Sequence, residues 1–522
     1  MHLKSNQSDL LSSEFDANDP SLRQKTLQSS FITFAAQPIK LVASVGSVAL
    51  LARLLTPADF GIVSMVLPLV SFAESINSLS LGAAMIQRAG LTRKQANDIF
   101  WLTLEINLIF TVIFLASTPV LMVFYQQQKL LWVVPVMTLG IVGDFLSVQP
   151  KSLLARQLKF GILTFVDVFS LLLGIGVAIA AAVAGLGYWA LALQFVVFQT
   201  SKCCGFWLGC NWRPSRPLKL SQLSSGMGTM LAYGANLSAF NLISRFSLEI
   251  DRILVGYFNG AAALGLYGVA YNWAYFPFNQ IHLPLLSVAN SGLSRAFPDG
   301  DGYRRQSQQM LALMFNLLLP ILSFLVISGR PIMLVLLGDQ WLESVPIFQV
   351  LVIAVLIGSF YRVTKWFYVS SGQTHRQLRW SLLHTPIVVT AAAIGAQQGP
   401  LGVAWGIALA SLLMSYPAIA FCLKDTSLSV RDFFMPIWRP AIAAIVSAGL
   451  LFLIQQLVAY PTQVLVELVV NGILYSILHV TLLAFLPGGR EDMRRAIVEI
   501  KGMIDARLAQ KARAQPPQND QE

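Results

Sequence analysis

Apolar runs of about 20 residues follow one another along nearly the whole chain, each long enough to cross about 30 Å of hydrocarbon as a helix. No other feature restricts the fold as much. Hydrocarbon offers the backbone no water to bond, so only helices and closed barrels span it. A barrel would need short alternating segments, and these runs are continuous. Charged residues are 12% of the 522, roughly half the ~25% usual in soluble domains. The expected fold is an all-α integral membrane protein. Fourteen spans are expected, at 29–52, 60–85, 98–124, 130–150, 160–184, 187–209, 228–255, 262–291, 308–329, 345–371, 378–396, 400–423, 437–457 and 463–487.

The first tight turn returns later in the chain. Leu50–Met65 reads LLARLLTPADFGIVSM, and Ile253–Val269 reads ILVGYFNGAAALGLYGV. Thr56–Gly61 lies over Gly260–Gly265. Each copy has an apolar helix end, a small-residue turn, an aromatic or Leu, then Gly and a new apolar helix. An internal repeat of this kind is the mark of a two-lobed transporter, so two bundles facing each other across a cleft are expected.

The net charge of +11 follows topology rather than nucleic-acid binding. With the N-terminus cytoplasmic, 28 of the 36 Lys and Arg fall on the cytoplasmic side. Only Arg53, Lys129, Arg252 and Arg330 fall opposite, while Lys40, Arg245, Arg362 and Lys365 lie inside spans. The positive-inside rule then puts both termini in the cytoplasm. The outer connections are short, the longest near Gly329–Ser344. From Arg490 the tail spaces Met493, Ile497, Ile500, Ile504 and Leu508 at steps of three and four. That reads as a basic amphipathic helix on the inner leaflet or as a solvated helix. The four cysteines have no metal-like spacing with histidine and read as reduced packing residues.

A charge at bilayer depth costs at least about 2.5–3.5 kcal/mol on insertion scales, so each needs a partner or a wet cavity. Lys40 and Glu74 lie about equally deep on the first two spans and are expected to approach each other. Such a pair could serve a substrate or a proton, or merely fix packing. Arg245 and Glu249 share a face of span seven at i, i+4 and can satisfy each other locally. The repeat sets Lys40 within a residue of Arg245, so both lobes aim a cation at comparable places. Glu74, Glu105, Asp144 and Asp167 are candidates for a coupling ion; burial would raise a carboxyl's proton affinity. The plainer reading makes them polar residues near a lumen or interface. Arg362 and Lys365, with Tyr361, Trp366 and Tyr368, form either snorkelling cations with an aromatic belt or a mouth for a phosphorylated sugar. Asn272, Asn279 and His282 join them as cavity candidates. Tyr271, Trp273 and Tyr275 could stack on sugars or simply pack. No Gly-rich phosphate loop, His-Glu-x-x-His or Gly-x-Ser-x-Gly occurs, so ATP hydrolysis, a cofactor, a metal and a catalytic residue are not expected.

LLARLLTPADFG at 50–61 resembles the polysaccharide-transporter family of the multidrug/oligosaccharidyl-lipid/polysaccharide export superfamily. So do Leu248–Gly256 with the following ALGLYGVAYN, and LLGDQW at Leu336–Trp341. The resemblance covers roughly 30–485 and is greatest to Wzx-type O-antigen and exopolysaccharide flippases, the lipopolysaccharide biosynthesis proteins. It implies two pseudo-symmetric six-helix lobes with two C-terminal helices. The divisions become a tail (1–28), an N-lobe (29–209), a linker (210–227), a C-lobe (228–423), a helix pair (424–487) and a basic tail (488–522). It further implies alternating access and a substrate of undecaprenyl-diphosphate-linked oligosaccharide at a bacterial inner membrane. The implied partners are membrane lipids and the polymerase and chain-length proteins of a polysaccharide pathway, with no nucleic acid. In related flippases spans one, two, seven and eight line the cavity and cations there hold the diphosphate; here those spans supply Lys40, Arg245 and His282. Three other readings compete, one of them a membrane scaffold in a polysaccharide assembly complex, which would not need paired charges at mid-bilayer. A cation-coupled drug exporter would have an apolar, acidic cavity. A membrane glycan polymerase or ligase would carry a long outer loop with Arg and His.

Overall fold

The computed structural model describes residues 20–79, 93–215, 227–457, 463–491 and 493–494, with the backbone alone for 20–34, 76–79, 227–248, 287 and 374. Every regular element among them is helical. The first unit's helices are α1 (Pro20–Leu54), α2 (Pro57–Leu79), α3 (Arg93–Phe124), α4 (Leu130–Arg156), α5 (Phe160–Val183) and α6 (Trp189–Gly209). A long run, α7 (Met227–Ala296), breaks at Gly260 into two arms. There follow α8 (Gly300–Ile327), α9 (Gly329–Leu337), a 3-10 turn (Asp339–Trp341), α10 (Ser344–Arg362) and α11 (Thr364–Ser370). The chain continues through α12 (Thr374–Ala396), α13 (Pro400–Leu423), α14 (Val430–Phe434), α15 (Trp438–Leu457) and α16 (Val464–Phe485).

Eleven stretches among the described residues are long and apolar enough to cross a membrane. One of them, Glu249–Leu286, passes through Gly260 and holds parts of two expected spans. The runs at 187–209 and 378–396 are helical but less apolar, interrupted by Gln194, Gln199 and Lys202 on α6 and by Arg379 and His384 on α12. The outward side chains suit lipid: Leu108, Ile109, Val112 and Ile113 on α3, and Ile473, Ile477 and Val480 on α16, are all exposed. Apolar faces of that extent are rare on water-soluble monomers. The chain is a multi-pass membrane protein.

The repeated turn uses different chemistry in its two copies. In the first, Thr56 and Asp59 cap α2 reciprocally. The Thr56 amide and hydroxyl donate to Asp59 Oδ2 at 3.0 and 2.7 Å, and the Asp59 amide donates to Thr56 Oγ1 at 3.3 Å. Pro57 takes the first helical position, where its missing N–H costs nothing. Asp59 Oδ1 also accepts from the Tyr188 amide at 3.0 Å, tying this turn to the one between α5 and α6. In the second copy Gly260 turns the chain at φ 78°, a conformation that favours glycine. Asn259 Nδ2 donates to the Ala396 carbonyl at 3.2 Å, tying this turn to the one between α12 and α13. The same two turns are therefore joined in each copy.

Small residues let helices close up around these ties. Ala178, Ala181 and Ala182 of α5 pack on Leu51 of α1 and on Leu55 just beyond it. Gly395 of α12 and Gly402 of α13 meet backbone to backbone, and a Cβ on either would overlap the other's carbonyl.

The described residues divide into two compact units, one running to Glu249 and the other beginning at Ile250. The division falls within α7, just after Glu249, which accepts from the Ser71 hydroxyl of α2 at 2.9 Å.

Three connections differ from expectation. Helix α1 starts at Pro20, within the expected tail and ahead of the span expected from 29; Leu, Arg, Gln and Lys continue a helix readily once Pro20 opens it. The outer connection at 329–344 is α9 and a 3-10 turn rather than a loop. In its LLGDQW motif Gly338 turns at φ 94°, Trp341 is wholly buried, and the Ser344 hydroxyl donates to the Trp341 carbonyl at 2.6 Å. The connection after α13 carries α14, whose capping box joins Ser429 and Asp432. Arg304 of α8 donates to Asp432, and Arg376 of α12 pairs with Asp425 at 2.9 Å. Burial alone would raise the Asp432 carboxyl, but the Ser429 and Arg304 bonds outweigh it and hold it below the usual carboxylate range. The tail helix expected from Arg490 and the segment before Pro20 lie almost wholly outside the described residues.

Candidate functional site

The second arm of α7 sets Tyr267, Tyr271, Tyr275, Phe278 and His282 at steps of four, four, three and four, so they share one face. The ring centroids of Tyr271 and Tyr275 stack 4.2 Å apart. At one end the Tyr267 hydroxyl donates to Asp251 Oδ2 at 2.9 Å. Beside it the Arg252 guanidinium lies 4.4 Å over the Tyr271 ring and donates to Asn272 Oδ1 at 3.2 Å. At the other end His282 is seated between Phe278 and Trp366, at 4.8 and 5.6 Å, nearly parallel to the indole.

Helix α10 delivers Arg362 to the middle of this ladder. Its Nη2 donates to the Tyr275 hydroxyl at 2.8 Å, and its guanidinium lies 5.0, 5.8 and 5.5 Å from the rings of Tyr275, Phe278 and Tyr361. The helix ends at Arg362 and restarts at Thr364, which puts Lys365 and Trp366 on the following turn. From α12, His384 packs 4.8 Å from Tyr361. Arg362 acts electrostatically on both histidines, and Lys365 acts on His282.

Two properties set this cluster apart. Among the described residues no carboxylate comes within 4.0 Å of Arg362 or Lys365. The carboxylate that does act on Arg362, that of Asp251, is already bonded to Tyr267. Furthermore, buried polar atoms here have no hydrogen-bond partner: Arg362 Nε, Trp366 Nε1, His282 Nδ1 and His384 Nε2. Buried polar groups are ordinarily bonded, and Arg and Trp nitrogens can only donate. Unused donors around an arginine with no carboxylate describe a place for a group rich in acceptor oxygens and negative charge.

The first unit treats its charges differently. Lys40 pairs with Asp167 of α5 at 3.1 Å, whereas the expected partner was Glu74. The reason is packing: the Ala-rich face of α5 lies against α1. Lys202 of α6 pairs with Asp144 of α4 at 3.2 Å and donates to Gln199 Oε1 at 3.0 Å. Asp144 and Asp167 are thus halves of ion pairs rather than single acids. Glu249 is buried against Ser71, and Glu74 and Glu105 are exposed. Tyr125, just beyond α3, has its hydroxyl raised above the ordinary range by burial and then by Glu249. Arg245 lies on the first arm of α7, its side chain outside the described residues.

Of the candidates read from sequence, Asn272, His282, Arg362 and Lys365 belong to the ladder, and Asn279 is exposed on the same arm. Five members were missed: Tyr267 and Phe278, which helical spacing from Tyr271 and Tyr275 could have marked, and Asp251, Arg252 and His384. Asp251 and Arg252 look like a span end and a loop cation in sequence, though Asp-Arg within an otherwise apolar arm was a usable signal. His384 stands among other polar residues near the start of its span and gave none.

The family described as polysaccharide biosynthesis protein matches residues 50–346. The chain is 26% identical over 430 residues to the teichuronic acid biosynthesis protein TuaB of Bacillus subtilis (strain 168), covering 81% of this chain and 87% of that one. It is 25% identical to the succinoglycan biosynthesis transport protein ExoT of Rhizobium meliloti (strain 1021), covering 90% and 93%. To the lipopolysaccharide biosynthesis protein WzxC of Escherichia coli (strain K12) it is 19% identical, covering 80% and 85%. Among solved structures, the fold is similar to lipid II flippase MurJ in an inward closed conformation, with TM-score 0.67, 12% identity and coverage of 87% and 98%. It is also similar to an inward-facing multidrug resistance MATE family transporter, with TM-score 0.60, 13% identity and coverage of 76% and 97%.

Proposed function

The chain belongs to the polysaccharide biosynthesis protein family, and from that premise we propose that it is a flippase for a polyprenyl-diphosphate-linked oligosaccharide, undecaprenyl being the carrier. It is a multi-pass protein of a bacterial inner membrane and a transporter rather than an enzyme. It moves its substrate by alternating access toward surface polysaccharide assembly, where polymerase and chain-length proteins are its partners.

One observation carries this reading: Arg362 lies inside a membrane-spanning stretch with a phenol for its hydrogen-bond partner, no carboxylate in ion-pair range among the described residues, and unused donors beside it. A diphosphate fits that want. Its charge compensates the guanidinium, which can bond phosphoryl oxygens in its planar fork. Lys365 adds a second cation, and Asn272 and Asn279 offer amides to sugar hydroxyls. The tyrosine face offers stacking area. A cationic drug would meet arginine and lysine here rather than the acid it needs.

The test is Arg362→Ala in a strain whose surface polysaccharide depends on this chain. Losing a buried charge contact costs about 2–5 kcal/mol, so transport should fall roughly thirtyfold or more. Lipid-linked oligosaccharide should accumulate on the cytoplasmic leaflet while drug sensitivity stays unchanged. Normal polysaccharide together with altered drug sensitivity would replace this reading with a drug exporter.

A further inference from the structure

We propose that His282 and His384 take up protons as the diphosphate seats on Arg362 and Lys365, so that anion and proton cross the membrane together. This deepens the flippase reading and rests on it.

The two rings come from different elements and pack on rings that the same guanidinium faces: His282 of α7 lies 4.8 Å from Phe278 and His384 of α12 lies 4.8 Å from Tyr361, and Arg362 lies 5.8 and 5.5 Å from those two rings. Each has one buried ring nitrogen with no hydrogen-bond partner, Nδ1 of His282 and Nε2 of His384. A lone pair there can accept a proton, and the resulting N–H can donate to a phosphoryl oxygen. Each ring also rests against an aromatic one, His282 near-parallel to Trp366 and His384 against Tyr361. Contacts of that kind favour a cation over an uncharged ring.

Positive charge already surrounds the rings in the empty site. His282 faces Arg362 and Lys365; His384 faces Arg362 and the Tyr361 phenol. The other groups acting on Arg362 are the phenols of Tyr271 and Tyr275 and the carboxylate of Asp251, which Tyr267 engages. A further positive charge among these cations is unfavourable. A diphosphate esterified at both ends brings two negative charges and reverses the local field. The proton comes from the aqueous phase that the site faces at loading and returns to water when the anion leaves. Because binding of each favours the other, the linkage is cotransport rather than exchange. Asp144 and Asp167 are poorly placed for the task, since each already neutralises a lysine.

The test measures binding of a short-chain prenyl-diphosphate-linked monosaccharide to the purified full chain in lipid nanodiscs. The phosphates of this probe stay fully ionised over about pH 5–8, the range in which histidine titrates. Affinity should strengthen by up to tenfold per pH unit of acidification for each proton linked. Histidine-to-glutamine changes at 282 and 384 should each flatten the profile, and H282Q/H384Q should be flat at whatever affinity it retains. The native protein supplies a second readout that needs no variant: heats of binding in buffers of different ionisation enthalpy should count about one or two protons taken up. Binding with no pH dependence and no proton uptake overturns this inference and leaves the diphosphate reading standing. A slope that survives in H282Q/H384Q overturns the assignment to these rings. No binding at any pH overturns both.

Discussion

The two units solve the same problem in opposite ways. Each must hold cations within helices bathed in lipid. The first neutralises Lys40 with Asp167 and Lys202 with Asp144, so each lysine has its counter-charge inside the unit. The second keeps its acid pairs, Arg304–Asp432 and Arg376–Asp425, at the connection around α14, and gives Arg362 a phenol and aromatic faces instead. A cation paired internally has little to offer a ligand. A cation held by rings and one phenol is positioned without being neutralised. The difference separates charges that assemble the bundle from a charge kept for something that arrives.

After Arg362 itself, the change with the largest expected effect is Asp167→Asn, which strips Lys40 of its partner. Removing one half of a buried pair costs about 3–5 kcal/mol. This pair is 26% and 32% exposed, so about 1–3 kcal/mol of stability is expected, read as earlier thermal unfolding in detergent. Joint replacement by Lys40→Met and Asp167→Leu should recover most of it, and transport with it. If the joint variant is stable yet inactive, the first unit's pairs also serve transport and the contrast between units is broken.

Much of this contrast was legible before the structure, and the illegible part has a physical reason. Charges within apolar runs announce themselves, so Lys40, Asp144, Asp167, Arg362 and His282 could all be picked out by cost alone. Their partners could not. Adjacent spans suggest Glu74 for Lys40, but the partner lies 127 residues away, chosen by an alanine face on α5 that lets α1 close in. Span periodicity marks which residues share a face of one helix, so Tyr267 and Phe278 could have been added to Tyr271 and Tyr275. It does not say which other helix supplies Arg362 or His384. The repeat was legible as matched turns, yet the tie from each turn to a second one depends on Asp59 and Asn259, which occupy different alignment positions.

Tyr275→Phe is expected to have a moderate effect and sharpens the comparison most. It keeps the ring under the guanidinium and deletes the one phenol bond. Hydrogen bonds to charged groups are worth about 1.5–3 kcal/mol. If Arg362 is held for an anion, its loosened side chain should weaken binding of the prenyl-diphosphate probe by roughly tenfold per folded molecule, beyond any loss of thermal stability. Were the bond merely structural, stability would fall and binding would follow only through loss of folded protein. Tyr275→Leu removes the ring as well and should cost more in both.

The smallest expected effects come from the repeated ties, where the units should differ again. Asp59→Ala removes a cap worth about 1 kcal/mol together with the bond to Tyr188. Asn259→Ala removes a single side-chain bond to Ala396, worth about 0.5–1.5 kcal/mol. Gly260→Ala leaves that bond in place but forces a side chain into a left-handed conformation, at about 1–2 kcal/mol. In the first unit, then, one carboxylate both shapes the turn and ties it, and a single substitution should undo both. In the second the work is divided between neighbouring residues, so Asn259→Ala and Gly260→Ala should each produce a partial loss, and the double variant roughly their sum. A clearly greater-than-additive loss, measured by thermal unfolding, would mean that the second turn is as integrated as the first and that the copies diverged in residue choice without diverging in mechanics.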